Sequence, residues 1–180
     1  MATLAGSLLL AGPSLWDPNF RRTVVLIGHH DDEGAVGVVL NRSLEVSVAE
    51  AVPALADLAG EGAELFAGGP VEPGGVVVVA DFVDPAVAEV LVVGSIGFLP
   101  QEPAADLPAA VRRARVFAGY AGWGAGQLEA ELEEDSWIVE PAQPEDVFHP
   151  DPSRLWNDVL ARKGPAFDLI RSMPYDPSSN

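Results

Sequence analysis

The sequence predicts an α+β fold: a compact single domain with a mixed, largely antiparallel β-sheet, flanked by helices that concentrate toward the C-terminus. Three observations carry this expectation. Short apolar, β-branched runs recur through the first two-thirds of the chain, separated by Gly, Pro and Asp turns. Helical spacing of apolar residues dominates the last third. The two kinds of pattern are segregated, which disfavours a regular βαβ alternation. A length of 180 residues suits one domain spanning 1–180, able to bury roughly 70% of its unfolded surface. Its core is expected over about residues 6–175, with 174–180 frayed.

Taken in order, Ser7 to Ala11 reads as a short buried strand, broken by Gly12-Pro13-Ser14. Trp16-Asp17-Pro18-Asn19 has turn chemistry. Residues 23–27 and 35–40 are apolar strands joined by Asp31-Asp32-Glu33-Gly34, a hairpin signature. Ser47 caps a short helix with Glu50 in its first turn, which Pro53 limits. Residues 64–67, 76–79 and 90–93 are further strands. Asp106-Leu107-Pro108 starts a helix, with an acid at the cap and proline early. Arg115-Val116-Phe117-Ala118 is a strand that feeds a loop with four glycines, Gly119, Gly122, Gly124 and Gly126. That loop opens into a helix over 127–134, with Leu128 and Leu132 facing inward. Trp137-Ile138-Val139 returns as a strand. Residues 144–148, 153–160 and 166–173 read as helices.

The totals exclude several function classes. There are no cysteines, so disulfides, thiolate metal sites and cysteine nucleophiles are absent. No basic n-region precedes Leu8-Leu9-Leu10, and no apolar run approaches the ~18 residues a membrane helix needs. A cytoplasmic protein with no membrane association is expected. The net charge is −17, with Lys163 the only lysine. Phosphate neutralisation supplies most non-specific nucleic-acid affinity, so direct nucleic-acid binding is disfavoured. Arg112, Arg113 and Arg115 are expected to pair with the abundant carboxylates.

Several motifs occur in order: Pro13-Ser14-Leu15-Trp16-Asp17-Pro18-Asn19-Phe20-Arg21-Arg22-Thr23-Val24, then Gly34-Ala35-Val36-Gly37-Val38-Val39-Leu40-Asn41-Arg42, then Gly68-Gly69-Pro70-Val71. Gly119-Tyr120-Ala121-Gly122-Trp123-Gly124-Ala125-Gly126 and the acidic helix after it complete the set, with Trp137 just beyond. Together they closely resemble the YqgE/AlgH family. That resemblance implies a cytosolic bacterial α+β protein whose biochemical activity is unassigned. Some members carry the label of transcriptional regulator. Family members usually continue Asn-Arg with proline, whereas this chain has Ser43, read as a softer turn.

No catalytic residue is identified by pattern. The strand–glycine–helix stretch has the layout that holds anions on a helix start, and Gly122, Gly124 and Gly126 are candidate ligand-binding positions. Its spacing matches neither the phosphate loop nor the dinucleotide fingerprint, and Glu129, Glu131, Glu133, Glu134 and Asp135 would repel phosphate. Tyr120 and Trp123 filling space beside a close-packed turn is the structural alternative. His29-His30-Asp31-Asp32-Glu33 has metal-site residue types, but adjacent strand residues face opposite ways, so no metal is expected. Asn41 and Arg42 end a buried strand, where Arg42 can clamp a carboxylate or phosphate bidentately.

Three functions fit these features. The leading one is a non-enzymatic binding or regulatory protein without a cofactor, acting near Asn41, Arg42 and the glycine stretch on a small acidic ligand or a protein partner. The alternative is a carboxylate-dependent enzyme acting on a small metabolite. A direct DNA-binding regulator is the third, and it requires a contiguous basic face.

Overall fold

The computed structural model describes residues 3–15, 17–101 and 107–173. The expectations for Trp16, for the cap at Asp106 and for 174–180 lie outside these residues. Ten strands form one sheet: β1 (Ser7–Ala11), β2 (Val24–Asp31), β3 (Gly34–Val39), β4 (Ser43–Ser47), β5 (Glu64–Ala67), β6 (Val71–Phe82), β7 (Val90–Val93), β8 (Ile96–Phe98), β9 (Val111–Gly124) and β10 (Trp137–Pro141). The order is β10-β1-β2-β3-β9-β6-β8-β7, with β5 on β9 and β4 on β5. Every pairing is antiparallel except β5 with β9. Helices α1 (Val48–Ala51), α2 (Ala56–Ala59), α3 (Leu107–Ala110) and α4 (Gln127–Glu133) intervene between strands. The last three, α5 (Pro144–Val147), α6 (Leu155–Lys163) and α7 (Asp168–Ser172), follow β10. The expected α+β class, mixed sheet and C-terminal helices are all present.

Both faces of the sheet are covered, which explains why β1 is continuously apolar rather than alternating. Leu8 and Leu10 face one way, into a core with Val24, Leu26, Phe117 and the buried residues of α5 and α6. Leu9 and Ala11 face the other way, toward Val25, Ile27, Trp123 and Leu128 of α4. A third cluster, Val48, Leu65, Val78, Phe82 and Val116, lies under α1 and α2.

Strand β9 organises the whole sheet, and it corrects the expected glycine loop. Residues 119–124 are strand: Ala35 pairs with Trp123, Val36 with Gly122 and Gly37 with Ala121. Small residues on β3 and β9 let the backbones approach, while Ala121 and Trp123 alternate into the core. Only Ala125 and Gly126 remain as a turn, with Gly126 at φ 75°. The first half of β9 carries β5, through Leu65 opposite Val116, and the second half carries β3. The changeover falls at Gly119, whose φ is 73° and whose Cβ position would lie 2.6 Å from the Gly69 carbonyl oxygen. The two glycine motifs, 68–71 and 119–126, therefore meet at one backbone crossing.

Two strands, β4 and β8, lie outside the sequence expectations, and β6 is longer than the expected 76–79. β4 is half polar and kinked by Glu45 at φ 57°. Glu72-Pro73-Gly74-Gly75 interrupts the apolar signal of β6. Ser43 is the first residue of β4, and its hydroxyl donates to Glu64 at 2.6 Å and accepts from the Glu45 N–H at 3.0 Å. A strand's first position also tolerates proline.

Candidate functional site

The β1–β2 connection builds one wall of the candidate site. Asp17 shapes it: its side chain accepts from the Asn19 N–H at 2.8 Å, and its carbonyl accepts from Phe20 and Arg21. Phe20 then turns inward, its ring centroid 5.7 Å from Trp137 and 6.2 Å from Trp123. Burying Phe20 on that face leaves Arg21 and Arg22 outside the aromatic cluster. Arg22 sits at φ 53°, a left-handed conformation unusual for a long side chain.

Asn41 locks this connection to the end of β3. Its Oδ1 accepts from the Val24 N–H and its Nδ2 donates to the Arg22 carbonyl, each at 2.9 Å. The amide thus imitates one more pair of the β2–β3 ladder. Arg42 follows, donating from Nη1 to the Pro18 carbonyl at 3.1 Å and from Nη2 to the Arg21 carbonyl at 2.6 Å. Helix α6 supplies the opposite wall. Trp156 is 5% exposed and donates its indole N–H to the Ala11 carbonyl at 3.1 Å. The Arg22 guanidinium lies 4.7 Å over that ring and also donates to the Met173 carbonyl. Arg21, Arg22, Asn41, Arg42, Ser153, Trp156 and Asn157 line a cleft of about 310 Å³, and no described carboxylate lines it.

The partners of the arginines decide what this cleft can do. A carboxylate neutralises the guanidinium it binds, whereas a carbonyl holds the group and leaves its charge in place. Arg112 pairs with Asp81 at 3.1 Å, Arg113 with Glu145 at 2.8 Å and Arg162 with Asp146 at 2.8 Å. Arg42 forms no ion pair among the described residues, and its two hydrogen bonds to carbonyls leave three of its five N–H donors for another group. Arg115 is held similarly, by the carbonyls of Val147 at 3.0 Å and His149 at 2.6 Å. Burial, then the neighbouring Arg113 charge, push its pKa down. The cleft beside Arg115 also contains Glu61 and Glu64, so its positive charge is offset. The expectation that the 112–115 arginines pair with acids therefore holds for Arg112 and Arg113 but not for Arg115.

The structure separates the expected site residues into two groups. Gly34 at the start of β3 pairs with Gly124, while Asn41 and Arg42 follow the other end of that strand. The separation is on the order of 25 Å at ~3.3 Å per residue. Gly122 lies inside β9, and the Gly124 N–H donates to Gln127 Oε1 at 3.0 Å. Gly126 precedes a helix of only seven residues without a side-chain cap. One site spanning Arg42 and the glycines is thus corrected by the length of β3. Ser153, Trp156 and Asn157 join Arg42 from more than a hundred residues away. No local pattern in the sequence marks them.

Other titratable groups have structural partners. His29 and His30 do face opposite ways, with side-chain exposures of 66% and 4%. His30 Nδ1 accepts from the Leu4 N–H at 3.0 Å, which assigns the proton to Nε2, 2.7 Å from Glu129. That hydrogen bond holds the Glu129 carboxyl below its ordinary pKa. The buried acids serve packing: Asp81 accepts from Ser95 at 2.6 Å, and Asp146 accepts from the Gln143 N–H at 2.7 Å. Among the described residues, no group of three or more His, Asp or Glu side chains is placed to hold a metal ion.

An AlgH-like family model matches residues 8–168. The chain belongs to the AlgH-like family. A UPF0301 protein of Streptomyces avermitilis is 46% identical over 189 residues, covering 100% of this chain and 97% of that relative. A UPF0301 protein of Mycobacterium tuberculosis is 40% identical, covering 98% and 90%. Among solved structures, a Corynebacterium diphtheriae protein superposes with a TM-score of 0.84 at 29% identity, over 96% of this chain and 94% of that one. The solution structure of AlgH from Pseudomonas aeruginosa gives 0.70 at 28% identity, over 97% of each. None of these AlgH-like or UPF0301 names states a reaction. Among the described residues, no helix is long and apolar enough to cross a membrane.

Proposed function

We propose that this AlgH-like protein is a cytoplasmic, non-enzymatic binding protein of regulatory type, a single domain that takes a small acidic ligand at the Arg42 cleft without metal or cofactor. One observation carries this reading. In a chain of net charge −17, Arg42 is fixed by carbonyls beside Arg21 and Arg22, in a cleft without a described carboxylate. Positioned guanidinium groups recognise carboxylate and phosphate bidentately. Any regulatory effect then passes through ligand or partner binding rather than DNA. Against a DNA face stands the pairing of Arg112 and Arg113 with Asp81 and Glu145.

Isothermal titration of the full chain with inorganic phosphate and with succinate, at fixed ionic strength, tests this. Saturable binding of either, weakened at least tenfold in Arg42→Ala, is expected, since charge-assisted hydrogen bonds are worth about 1.5–3 kcal/mol. Absence of saturable binding by both anions overturns the reading.

A further inference from the structure

Arg42 borders a second cleft. Its volume is about 260 Å³, and Val39, Ala67, Gly69, Pro70 and Pro73 supply its walls, with Asn19 at the edge. These walls come from the glycine crossing. Gly69 has φ 151°, and a Cβ there would lie 2.2 Å from the Tyr120 carbonyl carbon, so the chain passes flush against β9. Pro70 and Pro73 then bring ring carbons to the surface without backbone N–H donors. The two clefts meeting at Arg42 differ in chemistry: one holds guanidinium and amide groups, the other is mostly apolar. Arginine suits such a border, since it carries an apolar stem below its charged head.

We propose that the two clefts form one bipartite site, and that its ligand is a small organic anion with a short apolar tail. The anionic head, phosphate monoester or carboxylate, sits among the guanidinium groups. The tail lies against Ala67, Pro70 and Pro73. This rests on the anion-binding reading above and adds the specificity element to it. Size supports the pairing: each cleft alone, at about 310 and 260 Å³, is at or below the lower limit of small-molecule sites, roughly 300–1,000 Å³. Together they fall well inside that range. Charge supports it too, because neither cleft presents a described carboxylate to repel the head group.

The experiment is a titration series on the full chain at constant ionic strength, with inorganic phosphate, n-hexyl phosphate, acetate and hexanoate as probes. Each buried methylene multiplies affinity by about fourfold, so burial of only part of a hexyl chain gives n-hexyl phosphate at least a tenfold advantage over phosphate. Hexanoate against acetate gives the same advantage if the head is a carboxylate, and the stronger pair names the head group. Ala67→Leu, which fills the apolar cleft, removes that advantage and leaves phosphate or acetate binding unchanged. Pro73→Ser, at an exposed position in the irregular first part of β6, reduces the advantage and controls for misfolding of the first variant. Equal affinities with and without the tail overturn the bipartite site but leave the anion site standing. An advantage that survives both substitutions places the tail elsewhere and also overturns it. If none of the four probes binds, the anion-binding reading fails as well.

Discussion

Two regions of the molecule show opposite uses of polar side chains. In the corner formed by the end of β9, α4 and β10, every prominent polar group is satisfied from within. The indole N–H groups of Trp123 and Trp137 both donate to Glu131 Oε1, at 3.1 and 2.9 Å. Gln127 accepts from the Gly124 N–H and donates to Glu131 Oε2, each at 3.0 Å. Phe20 fills the space between the two indoles. In the Arg42 cleft, by contrast, the described partners of Arg42 are backbone carbonyls, and its positive charge is left uncancelled. The corner with the more conspicuous sequence is a packing device. The quieter cleft retains the unspent chemistry.

The glycine crossing joins these regions and should be the most sensitive point of the chain. Gly119→Ala adds a Cβ 2.6 Å from the Gly69 carbonyl oxygen at φ 73°. Neither backbone can retreat without breaking β9 pairing, so a loss of at least about 3 kcal/mol is expected. Chemical denaturation measures it. A change below about 1 kcal/mol would mean that the crossing relaxes, and that corner and cleft are not rigidly coupled.

Next in size is the clasp that holds the cleft's outer wall. Arg162 donates to both oxygens of buried Asp146, at 2.8 and 2.9 Å, tying α5 to α6. Asp146→Ala leaves the Arg162 guanidinium with only the distant Glu140, at 4.0 Å, and the Pro141 carbonyl, at 3.3 Å, and removes the acceptor of the Gln143 N–H. Destabilisation of up to about 3 kcal/mol follows, the lower end of the cost of breaking a buried pair, because those partners remain. Since α6 carries Trp156 and Asn157 into the cleft, ligand affinity should fall in the same variant under conditions where it is still folded.

Glu131→Ala tests the corner alone. It strands two buried indole donors, at about 1–3 kcal/mol for each unsatisfied group when water cannot reach it. A total of about 2–3 kcal/mol is expected, read with a red shift of tryptophan emission as Trp123 and Trp137 loosen. Anion binding at Arg42 should be unchanged. A parallel loss of binding would erase the distinction between packing corner and binding cleft.

The sequence was legible where chemistry is local. The β2–β3 hairpin, the Ser47 cap and the inward Leu128 and Leu132 follow from turn residues, a capping hydroxyl and helical spacing, and all are present. The glycine stretch misled because glycine signals both a loop and a strand that another backbone approaches closely. Only the pairing with β3 decides between them. Asn41 and Arg42 could be singled out, but the walls of their cleft could not. Those walls depend on α6 docking against the β1–β2 connection, a long-range event without local signature. The same limit explains Arg115: its choice of carbonyls over acids is set by how α5 packs, not by the surplus of carboxylates in the composition.

The smallest expected effect is on pH dependence, and it too contrasts the two regions. Asp31 and Glu129 at the corner end, and Glu145 on α5, are each held below the ordinary carboxylate pKa, chiefly by hydrogen bonds from His29, His30 and Arg113 respectively. A carboxyl lowered by folding contributes fully above its unfolded value, about 4. The contribution is lost as pH falls through the lower folded value. Urea midpoints should therefore be insensitive to these groups near neutrality and decline below about pH 4. Because Asp31 and Glu145 are solvent-exposed and Glu129 is partly so, the decline is modest for each. Glu129→Gln and Glu145→Gln should flatten that acid limb, whereas Arg42→Ala, whose partners are carbonyls that do not titrate, should leave its slope unchanged. A steeper or shallower limb in Arg42→Ala would show an acid paired with the cleft arginine, and would cancel the charge on which its proposed role depends.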